Sequence, residues 1–155
     1  MSLSAGYLTS KQKLIWDLKS TGLQEASIAR RLKVTRQTIH KALNTANSKV
    51  QTSLEETARI NKIRIEKIDP SQGILIGYSA HFKTATFITF SAKNGIQIWY
   101  RHQGDCKNCE DLQTCRENLL AEARDRNIPL PENLTAALPS EFAKTLFTKL
   151  TGGKE

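Results

Sequence analysis

The 155-residue chain has no run of about 18 apolar residues, the length a membrane helix needs. Its opening, MSLSAGYLTSKQ, lacks the basic-then-apolar pattern of a secretory signal, so a cytoplasmic location and no membrane partner are expected. Proline is scarce at 4 residues and glycine at 8, and neither occurs between Arg36 and Arg59. Cysteine is scarcer still, with 3 residues, an odd number that cannot pair off as disulfides. In a reducing compartment, clustered cysteines bind metal or do redox chemistry more often than they cross-link. Paired carboxylates, a phosphate-cradling loop, a serine–histidine set and a recombinase catalytic region are all missing, so the chain is not expected to be an enzyme. Asp105, Glu110 and Asp111 are acidic, but a solvated loop explains them.

What the chain does have is positive charge, unevenly placed. The net charge is +8. Residues 1–70 hold 13 Lys/Arg against 6 Asp/Glu, and residues 71–155 hold 10 against 9. A basic half beside a nearly neutral one points to a polyanionic partner for the first half.

Periodicity divides the chain. TSKQKLIWDLKST, residues 9–21, reads as a helix capped by Thr9 or Ser10, with Leu14, Ile15 and Leu18 inward and Gly22 at its end. QEASIARRL reads as a short second helix with Ile28, Ala29 and Leu32 inward, and KVT as a tight turn. Thr35 caps a third helix that runs from Arg36 to about Arg59. Its stripe of Leu43, Ala46, Val50, Leu54 and Ala58 is narrow. It suits either a seam with a partner helix from a second copy or a helix lying on the chain's own C-terminal part. Near residue 62 the period becomes two, and residues 62–101 read as an antiparallel meander of about four strands with one apolar, covered face. The turns are marked by DPSQG and by Asn94-Gly95. Helix returns over 112–127, three prolines in IPLPENLTAALP forbid a long element, and Ser140 is expected to cap a last helix.

Two short helices joined by a tight turn can place the second in the major groove of DNA. Ala29 is small where the helices must cross, and Ile28, Leu32, Val34 and Ile39 can fill the corner. The outward side of the third helix carries Arg36, Gln37, Thr38, His40, Lys41 and Asn44. Gln37 can bind an adenine edge and Arg36 a guanine edge, each through two hydrogen bonds. Thr35 and Thr38 suit phosphates, and Arg30, Arg31 and Lys33 would flank the backbone and make binding salt-dependent. The stretch LQEASIARRLKVTRQTIHKAL resembles the helix-turn-helix segments of bacterial and archaeal regulators and of resolvases, with Lys33 where the turn often has glycine. At larger scale, YLTSKQKLIWDLKSTGLQEASIARRLKVTRQTIHKALNTANSKV resembles the N-terminal domain of archaeal Tfx-type DNA-binding regulators. That resemblance implies a trihelical DNA reader over about 60 residues, and does not extend to the strands or cysteines.

All three cysteines lie in CKNCEDLQTC, a C-x2-C-x5-C spacing, with His102 just upstream. Two thiolates on a tight loop can face one ion or cluster, and Cys115 near a helix start would sit where negative charge is favoured. His102, Cys106, Cys109 and Cys115 would make a Cys3His zinc site. The spacing also resembles that of auxiliary clusters in radical enzymes and of the iron staple in RecB-like nucleases. There a fourth cysteine completes a 4Fe–4S cluster, and here that ligand would be His102, another group, or none.

The chain is therefore expected to be an α+β protein. Residues 1–60 would form a trihelical helix-turn-helix DNA-binding domain with a long linking and dimerising helix. Residues 61–155 would form a small antiparallel sheet and a helical cysteine-cluster segment. The expected function is a homodimeric, sequence-specific transcriptional regulator on double-stranded DNA. It would sense redox state, oxygen or iron through an iron–sulfur cluster, with a structural zinc site and no redox role as the alternative.

Overall fold

The computed structural model describes residues 8–101 and 105–152. The fold is α+β: among these residues, six α-helices and one four-stranded antiparallel sheet. The elements are α1 Ser10–Ser20, α2 Glu25–Leu32 and α3 Arg36–Ile60; β1 Ile63–Asp69, β2 Ile74–Ser79, β3 Thr84–Ser91 and β4 Gly95–Tyr100; then α4 Leu112–Asp125, α5 Glu132–Thr135 and α6 Pro139–Leu150. They form two compact units, Met1–Tyr100 and Arg101–Glu155.

Helix α1 begins where a reciprocal cap is possible. Thr9 Oγ1 accepts from the Gln12 amide at 3.2 Å, and Gln12 Oε1 accepts from the Thr9 amide at 3.1 Å. The same Gln12 oxygen takes the Lys49 ammonium at 2.9 Å, which ties α1 to α3. Gly22, at φ +99°, ends the helix as its position suggested. The inward face is rotated from the expected one. Leu14 is 46% exposed, while Ile15 and Trp16 are buried. Adjacent residues on a helix point in different directions, and α1 uses that to serve two cores. Ile15 joins Ile28, Ala29, Ile39 and Leu43 among α1, α2 and α3. Trp16 joins the core between α3 and the sheet, edge-on to Phe90 with ring centres 5.1 Å apart. Its indole N–H donates to the Pro70 carbonyl at 3.3 Å.

Helix α3 has 25 residues, about 37 Å at 1.5 Å per residue. Ala46, Val50, Leu54 and Ala58 are fully buried against Ile63, Leu75, Ile88, Phe90 and Ala92 of the chain's own sheet and its turn. Of the two covers open to this stripe, a partner helix or the chain's own C-terminal part, it is the chain's own sheet that covers it here. For the same reason the first unit continues to Tyr100, and the division expected after residue 60 falls within it at the α3–β1 turn.

The sheet is a meander, β1-β2-β3-β4. Cross-strand rows show how its inner face is made: Ile68, Leu75, Ile88 and Ile98 lie in register. A bulge between Ile65 and Lys67 shifts β1 by one residue, so Ile63 and Ile65 share a face with Ile68 despite the odd spacing. The β1–β2 turn is organised by Asp69, whose Oδ1 accepts from the amides of Ser71 and Gln72 at 3.1 and 3.2 Å. The turn closes through Gly73 at φ +64°, where an added Cβ would lie 2.3 Å from the Phe90 carbonyl oxygen.

In the second unit α4 packs on α6. Leu119, Ala123, Phe142, Leu146 and Phe147 are buried, as is Glu122, whose Oε1 accepts from Arg126 Nε at 2.6 Å. The last helix opens with Pro139 at its first position and Leu138 as cap residue, so Ser140 does not cap it. Proline fits there because that amide has no partner inside the helix and its φ is already helical.

Candidate nucleic-acid interface and cysteine segment

Helix α2 ends at Lys33, the first residue of a short turn, whose φ of 54° is left-handed. The Lys33 amide donates to the Arg30 carbonyl at 3.3 Å and the Val34 amide to the Ala29 carbonyl at 3.0 Å. This closure is the one a C-terminal glycine usually provides, here adopted by lysine at a cost of roughly 1 kcal/mol. Two residues on, Thr35 Oγ1 accepts from the Thr38 amide at 3.1 Å and caps α3. The chain therefore reverses between two helices without a glycine. Ile28 and Ala29 on α2 meet Ile39 and Leu43 on α3 in one buried cluster.

With Ile39 and Leu43 turned inward, the expected contact residues all face out. Arg36, Gln37, Thr38, His40, Lys41 and Asn44 are exposed on the first turns of α3, and Thr35 at its cap. Arg30 and Arg31 are exposed on α2 and Lys33 in the turn. The fold thus gathers five cationic side chains, Arg30, Arg31, Lys33, Arg36 and Lys41, around the start of one helix. Thr35 and Thr38 are partly occupied with each other, their hydroxyls 2.8 Å apart.

One residue of this surface went unread in the sequence. Glu25, in the first turn of α2, faces α3 and uses both carboxylate oxygens there. Oε1 accepts from His40 Nδ1 at 3.3 Å, and Oε2 lies 3.8 Å from Arg36 Nε. The pairing spans 11 and 15 residues and depends on how α2 crosses α3. In sequence its only trace is an acid among bases.

The cysteine segment begins outside the described residues, where His102 lies. Residues Cys106–Asn108 form a single 3-10 turn, held by the Asp105 carboxylate, whose Oδ1 accepts from the Lys107 amide at 3.2 Å. Cys106 is buried, Cys109 exposed and Cys115 half-buried, and all three are free thiols. Cys115 is the fourth residue of α4, and its amide already donates to the Asp111 carbonyl at 2.8 Å. It therefore sits a turn inside the helix, not at the free amides of its start.

Burial pushes the Cys115 thiol above its ordinary value, and negative charge on Cys106, Cys109 and Asp111 pushes it further. That repulsion at Cys115 is what a bound cation would relieve, so the donor chemistry suits a thiophilic metal or cluster. The arrangement does not: among the described residues no three His, Cys, Asp or Glu side chains are gathered as a metal site requires. In metal-free protein at neutral pH, iodoacetamide is expected to label exposed Cys109 first. Buried Cys106 and the poorly ionised Cys115 should lag, with Cys115 gaining as the pH rises beyond the usual thiol range. Mass-spectrometric mapping at timed points checks that order.

No family model, curated protein or solved structure matches the chain. Among the described residues, no helix is long and apolar enough to cross a membrane.

Proposed function

We propose that the chain is a sequence-specific DNA-binding transcriptional regulator of the helix-turn-helix class, related in its N-terminal part to Tfx-type regulators and acting in the cytoplasm. One observation carries the reading. The start of α3 buries Ile39 and Leu43 and turns Arg36, Gln37, His40, Lys41 and Asn44 outward, beside Arg30, Arg31 and Lys33. A helix about 10–12 Å across fits a major groove of similar width. Arg36 and Gln37 are the base readers, with His40 and Asn44 behind them, and the remaining cations face phosphates. The regulator is proposed to act as a homodimer on half-sites about 34 Å apart. Because the sheet fills the apolar stripe of α3, a second copy must use another surface.

Binding of fluorescent duplex as salt is raised tests the reading. Affinity should fall steeply with salt, and Lys41→Ala should weaken all duplexes alike and lower the logarithmic slope by about 1. No binding at low salt, or a slope indifferent to Lys41, would refute it.

The cysteine segment is proposed to sense redox state, oxygen or iron by holding an iron–sulfur cluster, probed against structural zinc. Support comes from the donor set: three thiols at C-x2-C-x5-C in one turn and the adjoining helix, with Cys106 and Cys109 both penalising ionisation of Cys115. His102 stays the candidate fourth ligand. Among the described residues the side chains are not gathered for ligation. Anoxically purified protein should contain iron and sulfide, and lose them when Cys106, Cys109 and Cys115 become serine. Stoichiometric zinc instead would remove the redox role, and neither metal would remove the site.

A further inference from the structure

An ionised carboxylate only accepts hydrogen bonds. Since Glu25 Oε1 lies 3.3 Å from His40 Nδ1, that nitrogen must carry the proton in the contact. In a neutral imidazole the other nitrogen is then bare. The two groups differ in freedom: the Glu25 side chain is 21% exposed and the His40 side chain 62%. Glu25 is anchored on α2 and mostly covered, while the imidazole stands on the outward face of α3 with Arg36 one turn before it. The longer Arg36 contact, 3.8 Å with the guanidinium side chain 74% exposed, holds that residue only weakly.

We propose that Glu25 is a positioning residue for base recognition: by fixing the Nδ1-protonated tautomer of His40, it makes Nε2 an acceptor aimed at DNA. This rests on the DNA-reading assignment above and adds the class of base edge that His40 takes. In the major groove only adenine N6 and cytosine N4 offer amino donors, whereas guanine O6 and thymine O4 are acceptors. Neutral His40 held by Glu25 therefore favours an adenine or a cytosine at its base position and disfavours the keto-bearing bases. Reading with an acceptor complements Arg36, which can only donate.

The experiment is selection of duplexes from a randomised pool in mildly alkaline buffer by full-length wild type, Glu25→Gln and His40→Ala. The Gln amide keeps the shape of Glu25, but its two ends can accept from Nδ1 or donate to it, which frees the tautomer. Wild type should show one position with about fivefold or greater preference for adenine or cytosine. Both variants should flatten that position while leaving the other positions and the melting temperature unchanged. A double variant should flatten it no further than His40→Ala does. If wild type enriches no sequence, the DNA-reading assignment itself falls. If it enriches a motif that either single variant leaves intact, or if His40's position prefers guanine or thymine, the role of Glu25 is overturned while DNA reading stands.

Discussion

Replacing Arg36 and Gln37 together by alanine is expected to lower affinity for the preferred duplex by about 2–6 kcal/mol, roughly 30-fold to 20,000-fold, if the two base contacts add. Both side chains are exposed on the first turn of α3, and neither belongs to the buried clusters, so the fold should be unaffected. Affinity for a scrambled duplex should fall much less, because Arg30, Arg31, Lys33 and Lys41 remain to meet phosphates. Anisotropy titrations with the two duplexes separate the outcomes. An equal loss on both would mean that Arg36 and Gln37 supply charge and contacts to the backbone but do not read bases.

Leu54→Ala should destabilise the chain by about 2–5 kcal/mol, the range for removing a buried leucine where the surroundings cannot collapse. Leu54 is fully buried in the third quarter of α3, among Val50, Ala58, Ile63, Leu75 and Ile88. Because those partners belong to the same chain, the loss should appear as a lower thermal midpoint with no change in the association constant between copies, whichever surface a second copy uses. A seam between two copies would behave differently, since truncating it weakens association as well as stability. Melting curves and sedimentation of wild type and variant decide between the two. A weakened association in Leu54→Ala would return the stripe to a dimer.

Why the stripe was ambiguous in sequence has a physical basis. Leu43, Ala46, Val50, Leu54 and Ala58 recur every three or four residues, and that period states only that one side is covered. Whether the cover is a second helix or a sheet depends on contacts across long stretches of chain, such as Leu54 with Ile88 in one cluster. The strands themselves were legible, since short runs rich in β-branched and aromatic residues flank the turn signals DPSQG and Asn94-Gly95. The bulge in β1 was not: it is a register shift that depends on the partner strand. Likewise Ile15 and Trp16 are neighbours in sequence but belong to separate cores. A single-face reading of α1 places Leu14 inside, where the fold leaves it in solvent.

The candidate site divides in the same way. Outward side chains at the start of α3 follow from helical geometry once Ile39 and Leu43 are inward, so Arg36, Gln37, His40, Lys41 and Asn44 could be named from spacing. Glu25 could not, because its contact with His40 is made across a helix crossing. For the cysteines, spacing showed that three thiols share one segment, while their unequal burial, from buried Cys106 to exposed Cys109, is a property of the turn and α4.

The most direct test of the DNA-binding assignment is a residue-resolved NMR titration of the full chain with its selected duplex. Amide shifts concentrated in residues 30–44, with the sheet and residues 105–152 little changed, are the predicted result. Shifts centred on the sheet or on the cysteine segment, or none at saturating duplex, would contradict the assignment.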